Sequence, residues 1–218
     1  MIDVYLDLET IPCQDPAFRD EARKAIKAPA QYKKADSIAQ WMAENAETAT
    51  DESVAKTSFD PAHGHICTIG FAIGDGVSES FHATSVEGEK WAIESFYAKL
   101  PEMGLVRIIG HNVASFDLRF LLCRSIVLGV PIPKAITRDI KPWSEFVFDT
   151  MTAWAGHGNR ISLDRLAKAL GLGGKGDFDG SMVAGAWLAG EHDKIAQYCR
   201  DDIDLTRAIH KRFEEVNF

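Results

Sequence analysis

The chain has 218 residues, 46% of them hydrophobic, which allows a substantial buried core within a single domain spanning 1–218. Its formal net charge of −8 excludes a protein that coats nucleic acid by bulk positive charge, although an enzyme whose acidic site binds cations stays possible. Cys13, Cys67, Cys123 and Cys199 form no C-x-x-C pair, and there is no secretory signal and no apolar run able to span a bilayer. Free thiols and a soluble, cytoplasmic setting are therefore expected.

In chain order, 2–8 reads as a largely buried strand ended by Pro12. The stretch 13–61 then turns to Ala, Lys, Glu and Gln, too poor in large apolar residues to stand alone, and reads as a helical insertion. Within it, Asp15 as a cap and Pro16 as a helix-starting proline predict a helix over 15–27, broken by Pro29. A second helix over 32–46 would bury Ile38, Trp41 and Met42. Runs at 65–73 and 77–84 flank Gly74-Asp75-Gly76 and predict a hairpin. A helix over 86–100, a short strand at 105–110 and a helix over 115–127 follow. Another strand is predicted at 146–150, and Ser162 caps a helix that runs to Leu170. A glycine-rich loop spans 171–180, and helices over 181–189 and 192–213 close the chain. Tryptophans 41, 91, 143, 154 and 187 are read mostly as core, and the glycines of 70–76 as turn residues. The pattern predicts an α/β fold, a mixed sheet of about five strands with helices on both faces.

Three short stretches carry the chemistry: Asp7 and Glu9 in the first, Asn112, Phe116 and Asp117 in the second, Tyr198 and Asp202 in the third. Side chains two apart on a strand share a face, so Asp7 and Glu9 project together while Leu8 points into the opposite layer. Asp117 falls in the first turn of a helix, where it could simply complement the helix dipole. Tyr198 and Asp202 are four apart on a helical segment and share a face, whereas Asp201 is rotated off that face by ~100°. Each stretch alone has an ordinary explanation as surface acids, turn residues or core. Converging acids repel one another and call for an offsetting cation, so the full set suggests a two-metal site for phosphodiester cleavage.

Taken together, these residues resemble the DEDD, or DnaQ-like, superfamily of 3′–5′ exonucleases on the ribonuclease H-like fold. The tyrosine four positions before the last acid is similar to the DEDDy subgroup; the histidine subgroup would need histidine where Gln197 stands. Phe148-Asp149-Thr150-Met151, 162–167, and Gly174-Lys175-Gly176 ahead of Asp179-Gly180-Ser181 further resemble a bacterial and phage family related to the proofreading domain of family B DNA polymerases. The resemblance implies a stand-alone enzyme with two Mg²⁺ or Mn²⁺ ions held by Asp7, Glu9, Asp117 and Asp202, Asp7 bridging both. Tyr198 would orient the water rather than act as base, since a phenol titrates near ~10. Thr10, Asn112 and Phe116 would hold the frayed 3′ end of single-stranded DNA, releasing nucleoside 5′-monophosphates. The alternatives are a 3′–5′ exoribonuclease of the same superfamily and a catalytically silent nucleic-acid-binding accessory protein. Arg23, Lys24, Lys27, Lys33 and Lys34 could track the phosphate backbone or form a solvated helix face, and Lys175 could approach a phosphate of the strand. His63 and His65 suggest a metal pair but read better as structural or exposed. No membrane and no obligatory protein partner is implied.

Overall fold

The computed structural model of the chain describes residues 1–141, 143–174 and 176–218; the position foreseen for Lys175 lies outside them. At its centre is a mixed sheet in the order β3-β2-β1-β4-β5. The strands are β1 (Ile2–Ile11), β2 (His65–Ile73), β3 (Glu79–His82), β4 (Val106–Gly110) and β5 (Val147–Asp149). β1, β2 and β3 form an antiparallel meander, while β4 and β5 run parallel to β1. Helices α1 (Pro16–Ala25) and α2 (Ala35–Ala55) separate β1 from β2. Then come α3 (Gly88–Lys99), α4 (Asp117–Leu128), α5 (Thr150–Ala155), α6 (Leu163–Ala169), α7 (Val183–Leu188) and α8 (His192–Glu214). The architecture is α/β and ribonuclease H-like, with the helical stretch after the first strand.

Alternation along β1 decides which helices cover it. Val4, Leu6 and Leu8 enter one core with Ile93 and Phe96 of α3 and Leu118 and Leu121 of α4. Tyr5 points the other way, to Ala72, Ile109 and Ile203 of α8, and Ile11 joins Val183 of α7 and Ile195 of α8. A fully buried Leu, Ile or Phe contributes ~1.5–3 kcal/mol, so the apolar positions fix the strand's facing. Asp7 and Glu9, lying between Tyr5 and Ile11, are thereby forced onto the α8 face. α8 is covered in turn by α6, where Leu163, Leu166 and Ala167 pack on Ile209 and Phe213.

On the opposite face, Glu89 of α3 is fully buried. It accepts from Arg124 Nε at 2.8 Å and Nη2 at 2.7 Å, from the Ile66 amide at 2.9 Å, and lies 3.1 Å from His65 Nδ1. Arg124 also donates to the Pro61 carbonyl, tying the end of the insertion to α3, α4 and β2. His65 is thus structural, and the ring of His63 packs 4.5 Å from that of Phe18.

Several expectations are corrected. β1 runs three residues further than 2–8, because β2 pairs with it to Ile11 across a bulge between Glu9 and Thr10. α2 extends to Ala55, and its buried positions are Ala46 and Thr50 rather than Ile38, which is 37% exposed. Packed mainly against α1 and a short turn, α2 has a thin contact face that small residues suffice to fill. Trp91, Trp143 and Trp154 are exposed rather than core, and Trp41 and Trp187 are half-buried. Gly70 is no turn residue but sits mid-strand beneath α8, and α5 was not foreseen, being a single short helix after β5.

Candidate active site

β4 pairs with β1 only from Ile2 to Tyr5. It ends at Gly110, where a Cβ would lie 2.5 Å from Val113 Cβ and 2.8 Å from the Leu6 carbonyl oxygen. Only glycine lets the chain fold back over β1 this closely. Asn112 takes a left-handed φ of 66° in the turn, which asparagine tolerates better than other side chains. Asp149, at the end of β5, holds the turn: it accepts from the amides of Asn112 at 3.0 Å and Ala114 at 3.1 Å. The same carboxylate caps α5 through Met151 and Thr152. α4 then starts at Asp117, whose Oδ1 accepts from the Leu8 amide at 3.0 Å. A carboxylate here stands in for the strand partner that β4 no longer supplies, and so comes beside Asp7.

The third stretch arrives from above. A Cβ on Gly70 would lie 2.7 Å from Cys199 Sγ and 3.1 Å from the Cys199 carbonyl oxygen, so the missing side chain lets α8 settle against β2. Gly70 pairs with Asp7 in the sheet, which brings Cys199 over the first acid. Cys199 Sγ donates to Asp7 Oδ2 at 3.2 Å, and ligand atoms of Asp7, Glu9 and Cys199 all fall within 4.8 Å of one another. One position before and three positions after it on the helix, Tyr198 and Asp202 flank this contact. The Tyr198 hydroxyl hydrogen-bonds Asp202, and its ring stands edge-on to Phe178 at 5.0 Å. Asp201 is exposed and accepts from Gln197, and exposed Asp204 accepts from Ser78.

The electrostatics follow from this convergence. Burial, then the carboxylates of Glu9, Asp117 and Asp202, push Asp7 well above the usual carboxylate range, against the lowering effect of the Cys199 thiol. Asp117 is pushed up to about 7, chiefly by burial, with Asp149 and Asp202 adding to it and the Leu8 amide opposing. Burial and then Asp202, Glu9 and Asp7 raise the Tyr198 phenol above its ordinary value, so at neutral pH it stays a donor. The Cys199 thiol is raised by burial and by Asp7 and likewise stays protonated. Four acids from three elements, with Asp7 and Asp117 pushed towards protonation, describe a site that a divalent cation would relieve. Carboxylate oxygens are hard donors, suited to Mg²⁺ or Mn²⁺.

Two clefts open onto the β1 acids Asp7 and Glu9. One, of about 690 Å³, has Asp7, Asp202, Asn112, Arg160 and Arg165 in its walls. The other, of about 520 Å³, is walled by Glu9, Thr10, Phe116 and mainly apolar neighbours such as Leu8 and Pro12. Six of the eight residues singled out in the sequence line these two clefts; Asp117 is buried against the Leu8 amide, and Tyr198 lines, with Asp202, Phe178 and Lys194, a further cleft of about 570 Å³. Thr10 is held at its cleft by its hydroxyl, which donates to the Ser58 carbonyl at 2.7 Å. Sequence reasoning missed Asp149 as the residue that sets the turn, the contact of Cys199 with Asp7, and the two arginines. Arg165 had a visible signal, since it directly follows Ser162-Leu163-Asp164 on the outer face of a helix whose Leu163 and Leu166 are buried. The basic group of the insertion borders neither cleft, and Arg23 pairs with Glu47 at 3.6 Å.

A comparison with curated proteins gives no match. Among solved structures, the family B DNA polymerase from the hyperthermophilic archaeon Pyrobaculum calidifontis superposes with a TM-score of 0.60 at 17% identity. The superposition covers 98% of this chain and 24% of the polymerase, so the likeness is one of fold, to about a quarter of a longer protein. Residues 64–217 match the family described as a predicted 3′–5′ exonuclease related to the exonuclease domain of PolB, and the chain belongs to that family.

Proposed function

We propose that the chain is one exonuclease domain that removes nucleotides from the 3′ end of single-stranded DNA, releasing nucleoside 5′-monophosphates. The observation that carries this reading is the meeting of Asp7, Glu9, Asp117, Asp202 and Tyr198 at one end of the sheet, beside clefts with cationic and aromatic walls. The four carboxylates would hold two Mg²⁺ or Mn²⁺ ions. When bound, such ions neutralise charge developing on the phosphate oxygens and lower the pKa of the attacking water.

The chain's own side chains do the rest. Water adds to phosphorus and the bond to the 3′ oxygen of the preceding nucleotide breaks, leaving a terminal 5′-monophosphate and a shortened strand with a 3′ hydroxyl. Tyr198, raised above its ordinary titration range, cannot accept the water's proton and instead orients the nucleophile and Asp202 as a donor. Cys199 and the Leu8 amide fix the carboxylates of Asp7 and Asp117 by donating to them. Arg160 and Arg165 supply positive charge in the cleft beside Asp7, where an otherwise acidic protein needs it to admit a phosphodiester.

Single strands of DNA and of RNA, each labelled at the 3′ or the 5′ end, test the proposal when incubated with the protein and Mn²⁺. Release of labelled mononucleotide from the 3′ label, abolished by chelator, is the expected result. RNA trimmed faster than DNA would reassign the substrate, and retention of both strands without cleavage would make the protein an accessory binder.

A further inference from the structure

One charged surface takes no part in the site described above. Residues 22–35, from the end of α1 to the first residue of α2, hold Arg23, Lys24, Lys27, Lys33 and Lys34 and no acid, in a chain of net charge −8. The structure sorts these cations. Arg23, with Arg19 before it, reaches across to Glu47 and Asp51 of α2. Lys24, Lys27, Lys33 and Lys34 are exposed and, among the described residues, have no acidic partner. Acids are instead spread along α2, at Asp36, Glu44, Glu47, Asp51 and Glu52, and no lysine or arginine stands among them. Lys33 and Lys34 adjoin the N-terminus of α2, where the helix dipole disfavours cations, so helix stability does not account for them. An ordinary solvated surface mixes both signs of charge, whereas here they are separated along one helix.

The connection between the helices is built rather than loose. The Tyr32 amide donates to the Pro29 carbonyl at 2.9 Å, and the Tyr32 ring lies 6.3 Å from that of Trp41 on α2. The Lys34 carbonyl accepts from the Ser37 hydroxyl at 2.8 Å. At the other end of α2, Ala55 lines the cleft of Glu9, Thr10 and Phe116. The turn after it accepts from the Thr10 hydroxyl and the Cys13 amide, which fixes the helix to the end of β1. With 21 residues at ~1.5 Å each, α2 sets the lysines about 30 Å from that cleft.

We infer that this cationic tip is a second contact for the nucleic acid, gripping the phosphodiester backbone upstream of a 3′ end that lies in the cleft. The span of α2 corresponds to roughly nine nucleotides at the ~3.4 Å of a stacked strand. The inference rests on the exonuclease reading proposed above, and the tip lies outside residues 64–217 that match the family. Phosphate is the fitting partner, because lysine heads are point charges on flexible stems and can pass from one phosphate to the next as the strand shortens. The acids along α2 repel the strand between the two contacts, so affinity rises in a step once a strand is long enough to reach the tip.

The experiment compares wild type with the triple variant Lys27→Gln, Lys33→Gln, Lys34→Gln in Mn²⁺, on (dT)20 and on (dT)3, which is too short to reach the tip. For (dT)20, KM of the variant rises by about tenfold at low salt, while hydrolysis of (dT)3 stays within about twofold of wild type. The slope of log KM against log salt falls by about 2, at ~0.7 for each lost phosphate contact. An unchanged melting temperature shows that the variant is folded. Equal KM and salt slope on (dT)20 would overturn the inference, as would equal losses on both strands. Capture of phosphatidylglycerol vesicles by wild type, lost in the variant while (dT)20 binding is kept, would assign the tip to a lipid surface instead. If wild type cleaves neither strand, the exonuclease reading itself has failed. Fluorescence anisotropy of labelled (dT)20 then decides the contact alone: weaker binding by the variant upholds it, and equal binding removes it.

Discussion

Two buried charged clusters lie on opposite faces of the same sheet and obey opposite logic. On the α3–α4 face, burial alone raises the Glu89 carboxyl, yet His65, Arg124 and the Ile66 amide more than offset it and hold the group below its ordinary value. On the α8 face, the strongest charges acting on Asp7 are other carboxylates, which add to burial and hold it well above. The first cluster is completed by the fold. The second is assembled by the fold at a cost, and such a cost is retained where something else in solution binds there. Direction of shift, more than burial, separates the structural pair from the proposed metal site.

The sharpest way to break this contrast is to remove Asp7. Asp7→Ala should lower nuclease turnover by three orders of magnitude or more, about 4 kcal/mol of barrier, with its melting temperature in chelator kept or raised. Mn²⁺ should stabilise wild type and leave the variant unmoved. A marked loss of stability in chelator would place Asp7 among the structural carboxylates instead. The converse substitution, Glu89→Gln, leaves the Arg124 guanidinium buried without its counter-charge and should cost ~3–5 kcal/mol in urea unfolding. Activity per folded molecule should be preserved in that variant, and a selective loss of turnover would show the two clusters to be linked.

Tyr198→Phe should slow turnover by up to about a hundredfold through misplacement of the nucleophile, with Mn²⁺ affinity nearly intact. Unchanged turnover would reduce the ring to packing against Phe178. The smallest effect concerns pH. A carboxyl with a depressed folded pKa contributes stability above its unfolded value and loses it as pH falls through the folded one. Glu89 should therefore withdraw stability from wild type as acid is added below its ordinary range, near ~4.5 and lower. Glu89→Gln should show a flatter acid limb in thermal melts, and parallel limbs would count against the pairing.

Much of the site was legible because its residues sit at element ends that alternation and capping reveal. Asp7 and Glu9 follow from the period of β1, Asp117 from the start of α4, and Tyr198 with Asp202 from one face of α8. The parts that escaped depend on contacts between elements. Nothing local distinguishes Cys199 from the other thiols, or Gly70 from a turn glycine, until helix and strand are seen to touch there. Trp91, Trp143 and Trp154 misled for a related reason: residue type predicts burial only on average, and these three stand on outer surfaces.

Gly70 carries one more consequence, for the order in which the molecule completes itself. Asp7 and Asp202 come from opposite ends of the chain and meet only where α8 lies down on the glycine gap, so the repulsion between these two acids opposes that docking step. Divalent cations should then slow hydrogen exchange first along α8 near Cys199, while the amides of β1 and β4 stay indifferent. Uniform protection across the whole sheet would mean that the seating of this last helix and the formation of the sheet are a single event.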